Sequence, residues 1–384
     1  MDRMTLIQRS VYVALALAIP LLHPNLVSAQ LIDTPARNAY VLDLSTNTVL
    51  LSKQSDLPMP PASMSKLMTV YMVFERLKKG SLNLNDTFLV SKKAWKKGGS
   101  KMFVKVGDRV KVADLLRGII VQSGNDACIV VAEGIGGTEE AFAEMMTRRA
   151  VELGLKSSRF TNSTGWPDPK HRMSARDLAE LSRLLIEKFP DLYKIFSEKT
   201  FTYSKIKQSN RNPLLYRDIG VDGLKTGHTK AAGYGLTASA IREGRRIVLV
   251  INGLGSVRER SQESLRLMEL AFRAFKPYAL FKKDEVVTKA DIWLGAVSSV
   301  PLAISQDVNL TLSRSARDKM KVIVRMKNPV AAPVRKGQRL ATLVITVPNF
   351  ATREIPLIAA ETVDKLRFIG RIGAAIKHVL WGAS

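Results

Sequence analysis

The chain is poor in the residues that build disulfide frameworks and metal clusters, with one cysteine and four histidines in 384 positions. A single thiol excludes an intramolecular disulfide and any thiolate zinc cluster. Acidic residues are scarce as well: 34 stand against 59 lysines and arginines, a formal net charge of +25. That imbalance points to a polyanionic partner, whether nucleic acid, anionic lipid or a cell-envelope polymer. Long apolar runs are also missing. The run at 11–22, VYVALALAIPLL, falls short of the roughly 20 residues needed to cross a bilayer, and nothing after residue 30 is longer. What is present, 46% hydrophobic and 24% charged residues, is globular composition, which excludes wholesale disorder, collagen and coiled coil. The length suggests two domains.

The two ends narrow the partner. Arg3 and Arg9 precede the apolar run, and Val27-Ser28-Ala29 before Gln30 has the small residues of a cleavage site. Residues 1–29 therefore read as a secretory leader, which disfavours nucleic acid. At the other end, helical spacing over 362–384 gathers Leu366, Phe368, Ile369, Ile372, Ile376, Val379 and Leu380 on one face. Arg367, Arg371, Lys377 and His378 fall on the other. That pattern predicts an amphipathic helix lying on an anionic membrane surface.

Between the ends, residues 30–276 read as an α/β mixture. Residues 40–51 carry a hairpin pattern, and helices are expected over 113–133, 139–153, 175–188 and 259–275, with another following Pro60-Pro61 and stopping at Gly80. Residues 234–241 and 246–251 read as paired strands. Strands at both ends of the region suggest one sheet shared between them. Residues 277–361 change texture: short strand-like runs at 286–294, 308–312, 320–326, 339–347 and 354–358 predict a small antiparallel β domain without histidine, cysteine or clustered carboxylates.

With so few histidines, a serine activated by lysine is a strong alternative to a Ser-His-Asp triad. The form S-x-x-K places both side chains on one helix face, and it occurs twice, at Ser63/Lys66 and Ser204/Lys207. Ser63 follows Pro-Pro-Ala at a helix start, where free N–H groups favour developing negative charge. Ser204 sits in a polar stretch with no apolar helix behind it. Ser63 is the candidate nucleophile. Two further elements follow in order: Ser123-Gly124-Asn125, and Lys225-Thr226-Gly227 just before the 234–241 strand. Another S-x-N, Ser81-Leu82-Asn83, reads as a plain turn. A second Ser and Asn can relay protons and hold a substrate amide. A second cation at Lys225 can lower the proton affinity of Lys66 and attract a carboxylate.

The ordered set S-x-x-K, S-x-N, K-T-G, with PASMSKLMT, LLRGIIVQSGNDA, TGWPDPKHRMSARDLA, NRNPLL and VDGLKTGHTKAAGYGLTASA around it, resembles the D-alanyl-D-alanine carboxypeptidases, low-molecular-mass penicillin-binding proteins. The resemblance runs over about 36–358. It implies a penicillin-binding, β-lactamase-like α/β (α+β) catalytic domain, a small all-β domain and a terminal amphipathic helix. It implies Ser63 as the acylated nucleophile, Lys66 as its base, and Ser123 and Asn125 completing the site. It further implies the N–H groups of Ser63 and His228 as an oxyanion hole, and Lys225, Thr226, Gly227, Arg211 and Arg260 at the substrate carboxylate. Gly99-Ser100 would flank the Ser123 motif. Peptidoglycan stem peptides would be the substrate and β-lactams the inhibitors, at the periplasmic face of the inner membrane. Met173-Ser174 departs slightly from the family's usual hydroxyl pair. No cofactor is implied. Asp168 and His171 lack a third metal ligand and read as loop structure, and Cys128 reads as a small buried residue.

Rival readings stay open at this level. A β-lactamase of class A would need an added glutamate base, and no Glu-x-x-Leu-Asn lies between Asn125 and Lys225. A D,D-endopeptidase shares the chemistry. A cell-wall-binding scaffold without activity would not need three intact motifs, and a nucleic-acid binder lacks an aromatic-plus-basic motif.

Overall fold

The computed structural model describes residues 32–366, so the expected leader and residues 367–384 of the expected terminal helix lie outside the described residues; 362–366, expected to open that helix, are instead extended, with Val363 bridging Val334 and Lys365 bridging Gly295. Contacts divide the chain at Ala274/Phe275.

The first unit is built on a five-stranded antiparallel sheet of β1 (Asn38–Asp43), β2 (Thr48–Lys53), β3 (Val221–Thr229), β4 (Gly233–Arg242) and β5 (Arg245–Leu254), in the order β2-β1-β5-β4-β3. β1 pairs with β5 from Asn38↔Asn252 to Asp43↔Ile247, so the two ends of the unit do share a sheet. Residues 247–252 of β5 are all buried, as a strand covered on both faces requires. Val248 and Val250 join the main core, against which Ala175–Lys188 packs. The helix Val257–Arg273 also packs on β5 and brings buried Leu267, Met268 and Ala271.

Six longer helices accompany the sheet: α1 (Lys66–Lys78), α2 (Val112–Ile120), α3 (Asn125–Gly136), α4 (Glu139–Glu152), α5 (Ala175–Lys188) and α6 (Val257–Arg273). Every α1 residue from Lys66 to Phe74 is buried, so this helix runs through the core rather than along it. It ends where expected: Gly80 has φ +70, and Ser81 N–H donates to Arg76 O and Gly80 N–H to Leu77 O, both at 3.1 Å. These are the two bonds of a Schellman stop.

The single helix expected over 113–133 is instead two. Apolar spacing continues through the junction, which hides it from periodicity. The backbone breaks because Ser123 takes φ +62, and Gly124 N–H folds back onto Gly118 O at 2.8 Å. β3 was also not anticipated as a strand.

The second unit is a β domain. Its largest sheet has the order Lys321–Met326, Arg339–Thr346, Arg353–Ala359, Ser299–Ile304, Val286–Trp293, Val330–Ala331. All its pairs are antiparallel except Val286–Trp293 with Val330–Ala331, which is parallel. Lys276–Phe281 pairs with Val308–Leu312 in a separate ribbon. Lys276–Phe281 and Ser299–Ile304 were not foreseen, since prolines at 277 and 301 read as breakers.

Candidate active site

Ser63 lies in a single 3₁₀ turn, Ala62–Ser65, that feeds directly into α1. It is half-buried and therefore reachable. The turn is strained: Ala62, just before the serine, has φ +48, a conformation that an L-residue holds only where its surroundings impose it. Gly165 is one such surrounding. It has φ +76, and a Cβ there would come within 1.9 Å of Ala62 O, so only glycine fits. Gly227 on β3 is the other: a Cβ would lie 2.8 Å from Pro61 O and 3.1 Å from Met64 Cγ. Gly227, which the resemblance assigned to the substrate, lets the edge strand press against the serine turn.

One turn into the helix, Lys66 has no exposed surface. Its Nζ donates to Ser63 Oγ at 2.8 Å, to Asn125 Oδ1 at 2.8 Å and to Thr164 O at 2.7 Å. All three ammonium protons have acceptors, yet burial still lowers its pKa from 10.5 to about 8, helped by Arg211 and Lys97. Lys225 is buried too and is held well below its ordinary value, first by burial and then by repulsion from Lys66 and Arg211. The anticipated repulsion between the two amines is thus expressed at Lys225, while Arg211 and Lys97 are the cations that depress Lys66.

Asn125 opens α3 and is engaged at both ends, its Oδ1 by Lys66 and its Nδ2 donating to Gly98 O at 2.8 Å. Only one of its two amide protons is left for a substrate. Ser123 is buried at the left-handed junction before it. The backbone N–H of Asn125 donates to Ser100 O at 2.7 Å, and Arg211 Nη1 donates to Ser100 Oγ at 2.5 Å. The Gly99-Ser100 loop, the S-x-N motif and Arg211 therefore form one assembly.

β3 carries Lys225, Thr226 and His228 along the free edge of the sheet. Lys225 Nζ donates to Thr226 O at 3.2 Å. The His228 ring stacks on Tyr234 with centroids 3.9 Å apart, and the Arg260 guanidinium lies 6.0 Å from the centre of the same tyrosine ring. Arg260 is 7% exposed and its Nε has no hydrogen-bond partner. By contrast, Ser204 and Lys207 sit exposed on the hairpin of Thr200–Tyr203 and Ile206–Ser209.

Two supporting residues were missed from sequence. Asp126 is buried, and its carboxylate accepts from the backbone N–H groups of Met102 and Phe103, both at 2.9 Å, and more distantly from Val104. It pins the loop on which Gly98 and Ser100 sit. Asn162 Oδ1 accepts from the N–H groups of Thr164, Gly165 and Trp166 and from Thr164 Oγ1, shaping the turn that offers Thr164 O to Lys66. Acidic and amide residues in loops are usually solvated, and only the fold reveals these two as anchors. Cys128 is buried, and burial pushes its thiol up to about 12, which makes it inert. His171 is buried and its imidazole is pushed down to about 4 by burial. Its Nδ1 accepts from Thr161 N–H at 3.3 Å, within a loop that Asp168 closes by accepting from Lys170 N–H at 2.6 Å.

A half-buried serine hydrogen-bonded to a buried lysine lies against a cation-rich strand edge. Comparison with known proteins agrees. Residues 25–255 match the family model for D-alanyl-D-alanine carboxypeptidase, and residues 275–365 match that for the penicillin-binding protein 5 C-terminal domain. The chain is 37% identical to the D-alanyl-D-alanine carboxypeptidase DacC of Escherichia coli (strain K12) over 89% of its own length and 88% of the relative's. Penicillin binding protein 5 of Haemophilus influenzae superposes with a TM-score of 0.75 at 33% identity, covering 88% of this chain and 100% of that one. Penicillin-binding protein D2 of Listeria monocytogenes in its ampicillin-bound form superposes with a TM-score of 0.57 at 28% identity, over 62% of this chain and 97% of that one. The chain belongs to the D-alanyl-D-alanine carboxypeptidases, serine hydrolases of the penicillin-binding protein group.

Proposed function

We propose that the enzyme removes the terminal D-Ala from peptidoglycan stem pentapeptides through an acyl-enzyme on Ser63. Ser63 Oγ attacks the carbonyl of the penultimate D-Ala while Lys66 takes its proton, and the N–H groups of Ser63 and His228 receive the developing oxyanion. Collapse breaks the amide bond and releases D-Ala as its amine, which takes up a proton. Water then hydrolyses the ester and regenerates Ser63. Ser123 and Asn125 relay protons and align the peptide. The observation that carries this reading is Lys66, fully buried, 2.8 Å from Ser63 Oγ and lowered to about 8. At pH 7 such an amine is neutral about one time in ten, enough to act as a general base.

The carboxylate wall supports an exopeptidase. Burial lowers the proton affinities of Lys225, Arg211 and Arg260; Lys66, Arg211 and Arg260 add repulsion at Lys225, and Arg211 adds it at Arg260. A free C-terminal carboxylate relieves that repulsion, and Thr226 adds a hydroxyl. Amidating the C-terminus of a pentapeptide substrate should therefore abolish D-Ala-amide release. Equal rates on free and amidated peptides would favour the endopeptidase reading instead. β-Lactams would acylate the same serine. In this reading residues 1–29 export the chain, 30–276 carry catalysis, 277–361 form the β domain, and 362–384 hold the enzyme on the periplasmic face of the inner membrane. Flotation of full-length protein, but not of a chain ending at 361, with anionic vesicles tests the last point.

A further inference from the structure

A basic rim borders the catalytic site. Residues 91–107 hold six lysines, and residues 199–217 hold three lysines and two arginines, with no aspartate or glutamate in either. The fold joins the two segments: Gln208 Nε2 donates to Lys101 O at 3.1 Å, and Arg211 reaches Ser100. Both segments touch the site. Gly98 O in the first holds Asn125, and Arg211 in the second depresses Lys66 and Lys225. Three of the lysines are committed. Lys93 pairs with Glu139 and Glu140, Lys97 Nζ lies 4.4 Å from the centre of the Trp166 ring, and Lys101 Nζ donates to Trp95 O at 2.7 Å. Lys92, Lys96, Lys105, Lys199, Lys205 and Lys207 are exposed and, among the described residues, form no ion pair. Like charges gathered without counter-charges repel one another, and a bound polyanion relieves that repulsion.

Exposed Trp95, Phe103 and Ile206 stand among these lysines, so a lipid surface and an anionic polymer both have to be weighed. A bilayer lying on the rim would also lie on Gly98, Gly99 and Arg211, which are exposed as well, and would close off the site they border. A polymer that carries the substrate leaves that approach open. The proposed substrate is such a polymer, because every stem peptide ends in a free carboxylate. Its dimensions also agree. Lys96 and Lys105 are four and five residues from Ser100, and Lys207 is four from Arg211, so each lies within about 18 Å of the site's edge even at full extension. A stem of five residues spans about 17 Å when extended. One stem in the site therefore leaves its neighbours within reach of the rim.

Resting on the carboxypeptidase reading, we propose that this lysine rim is a second binding surface, outside the catalytic site, for the carboxylates of neighbouring stem peptides on the same peptidoglycan strand. Hydrolysis does not weaken the attachment. Water adds across the amide bond, the departing D-Ala carries away its own ammonium and carboxylate, and the shortened stem keeps a new carboxylate. The strand's charge is conserved, so the rim holds it while successive stems enter the site. Several weak contacts on one strand act together through the high local concentration that each creates for the next.

The test compares two substrates, purified sacculi bearing pentapeptide stems and a soluble N-acylated tripeptide ending in D-Ala-D-Ala. The proteins are the full-length enzyme and a chain combining Lys92→Gln, Lys96→Gln, Lys105→Gln and Lys207→Gln. An exposed lysine–carboxylate contact contributes about twofold, so four together give about tenfold. The variant should release D-Ala from sacculi about tenfold more slowly at 50 mM NaCl and from the tripeptide within twofold of the wild type. Raising NaCl to 300 mM should erase the difference on sacculi, because the contacts are exposed and screened. Arginine at the same four positions should keep the wild-type rate. Co-sedimentation of Ser63→Ala with sacculi should be lost when their carboxylates are amidated. Equal rates of wild type and variant on sacculi at 50 mM NaCl, or undiminished pelleting with amidated sacculi, overturns the rim and leaves the carboxypeptidase reading standing. If the four substitutions reduce capture by phosphatidylglycerol vesicles and not by sacculi, the rim is a lipid surface and the proposal falls. Failure of the wild type to release D-Ala from the tripeptide overturns the carboxypeptidase reading, and co-sedimentation then reports on the rim alone.

Discussion

Burying Lys66 should leave a stability penalty that can be read as a function of pH. The amine falls from 10.5 to about 8 on folding. One pKa unit corresponds to about 1.4 kcal/mol, so the folded state holds this proton more weakly by about 3 kcal/mol. The sign follows from linkage: below pH 8 both states are protonated and the full penalty applies. Between 8 and 10.5 the folded state sheds the proton first and the penalty fades, and above 10.5 it is gone. Lys66→Met removes the titration while keeping an unbranched side chain of similar volume. It also leaves Asn125 Oδ1 and Thr164 O without their donor, a cost that does not vary over this range and so drops out of the comparison. Urea unfolding of both proteins from pH 6.5 to 10.5 should show the wild type gaining about 3 kcal/mol on the variant as pH rises. Relief of Lys225, which Lys66 depresses, acts in the same direction. A difference that stays flat with pH would refute the buried, destabilised amine on which the proposed base rests.

Gly165→Ala should destabilise the catalytic unit by about 1–3 kcal/mol from the left-handed backbone alone. The clash with Ala62 O should also slow penicillin acylation, since the displaced turn carries Thr164 O away from Lys66. Thermal melts and stopped-flow labelling check the two effects. Asp126→Ala strips acceptors from the Met102 and Phe103 N–H groups and should cost at least about 3 kcal/mol, with acylation falling further as Gly98 and Ser100 lose their place beside Asn125. A variant as active and stable as the wild type would remove Asp126 from the account. Ser204→Ala should change neither D-Ala release nor penicillin labelling, because that serine is exposed on a hairpin, and a loss of labelling would reopen the choice between the two S-x-x-K motifs.

Much of the site was legible because its chemistry is local or ordered along the chain. Ser63 and Lys66 are one helical turn apart, and the three motifs recur in a fixed order. The decoy at Ser204 could be rejected because no apolar helix follows it. All five β-domain strands read by alternation match observed strands to within one residue at each end, while the two longer missed strands contain proline at positions where pairing survives. What escaped depends on backbone geometry. The break between α2 and α3 rests on one residue's φ, at Ser123. Asp126 acts by collecting backbone N–H groups from a loop 24 and 23 positions back, and Asn162 by collecting those of its own turn. The closeness of Gly165 to Ala62 joins segments about a hundred residues apart, and no local pattern announces it.

The most direct measurement is the mass of the intact enzyme after reaction with benzylpenicillin, followed by peptide mapping of the adduct. The account predicts a single penicilloyl group on Ser63, its formation accelerating as pH rises toward about 8, and no adduct on Ser63→Ala. An adduct carried by any other residue, or labelling that persists in Ser63→Ala, would contradict it.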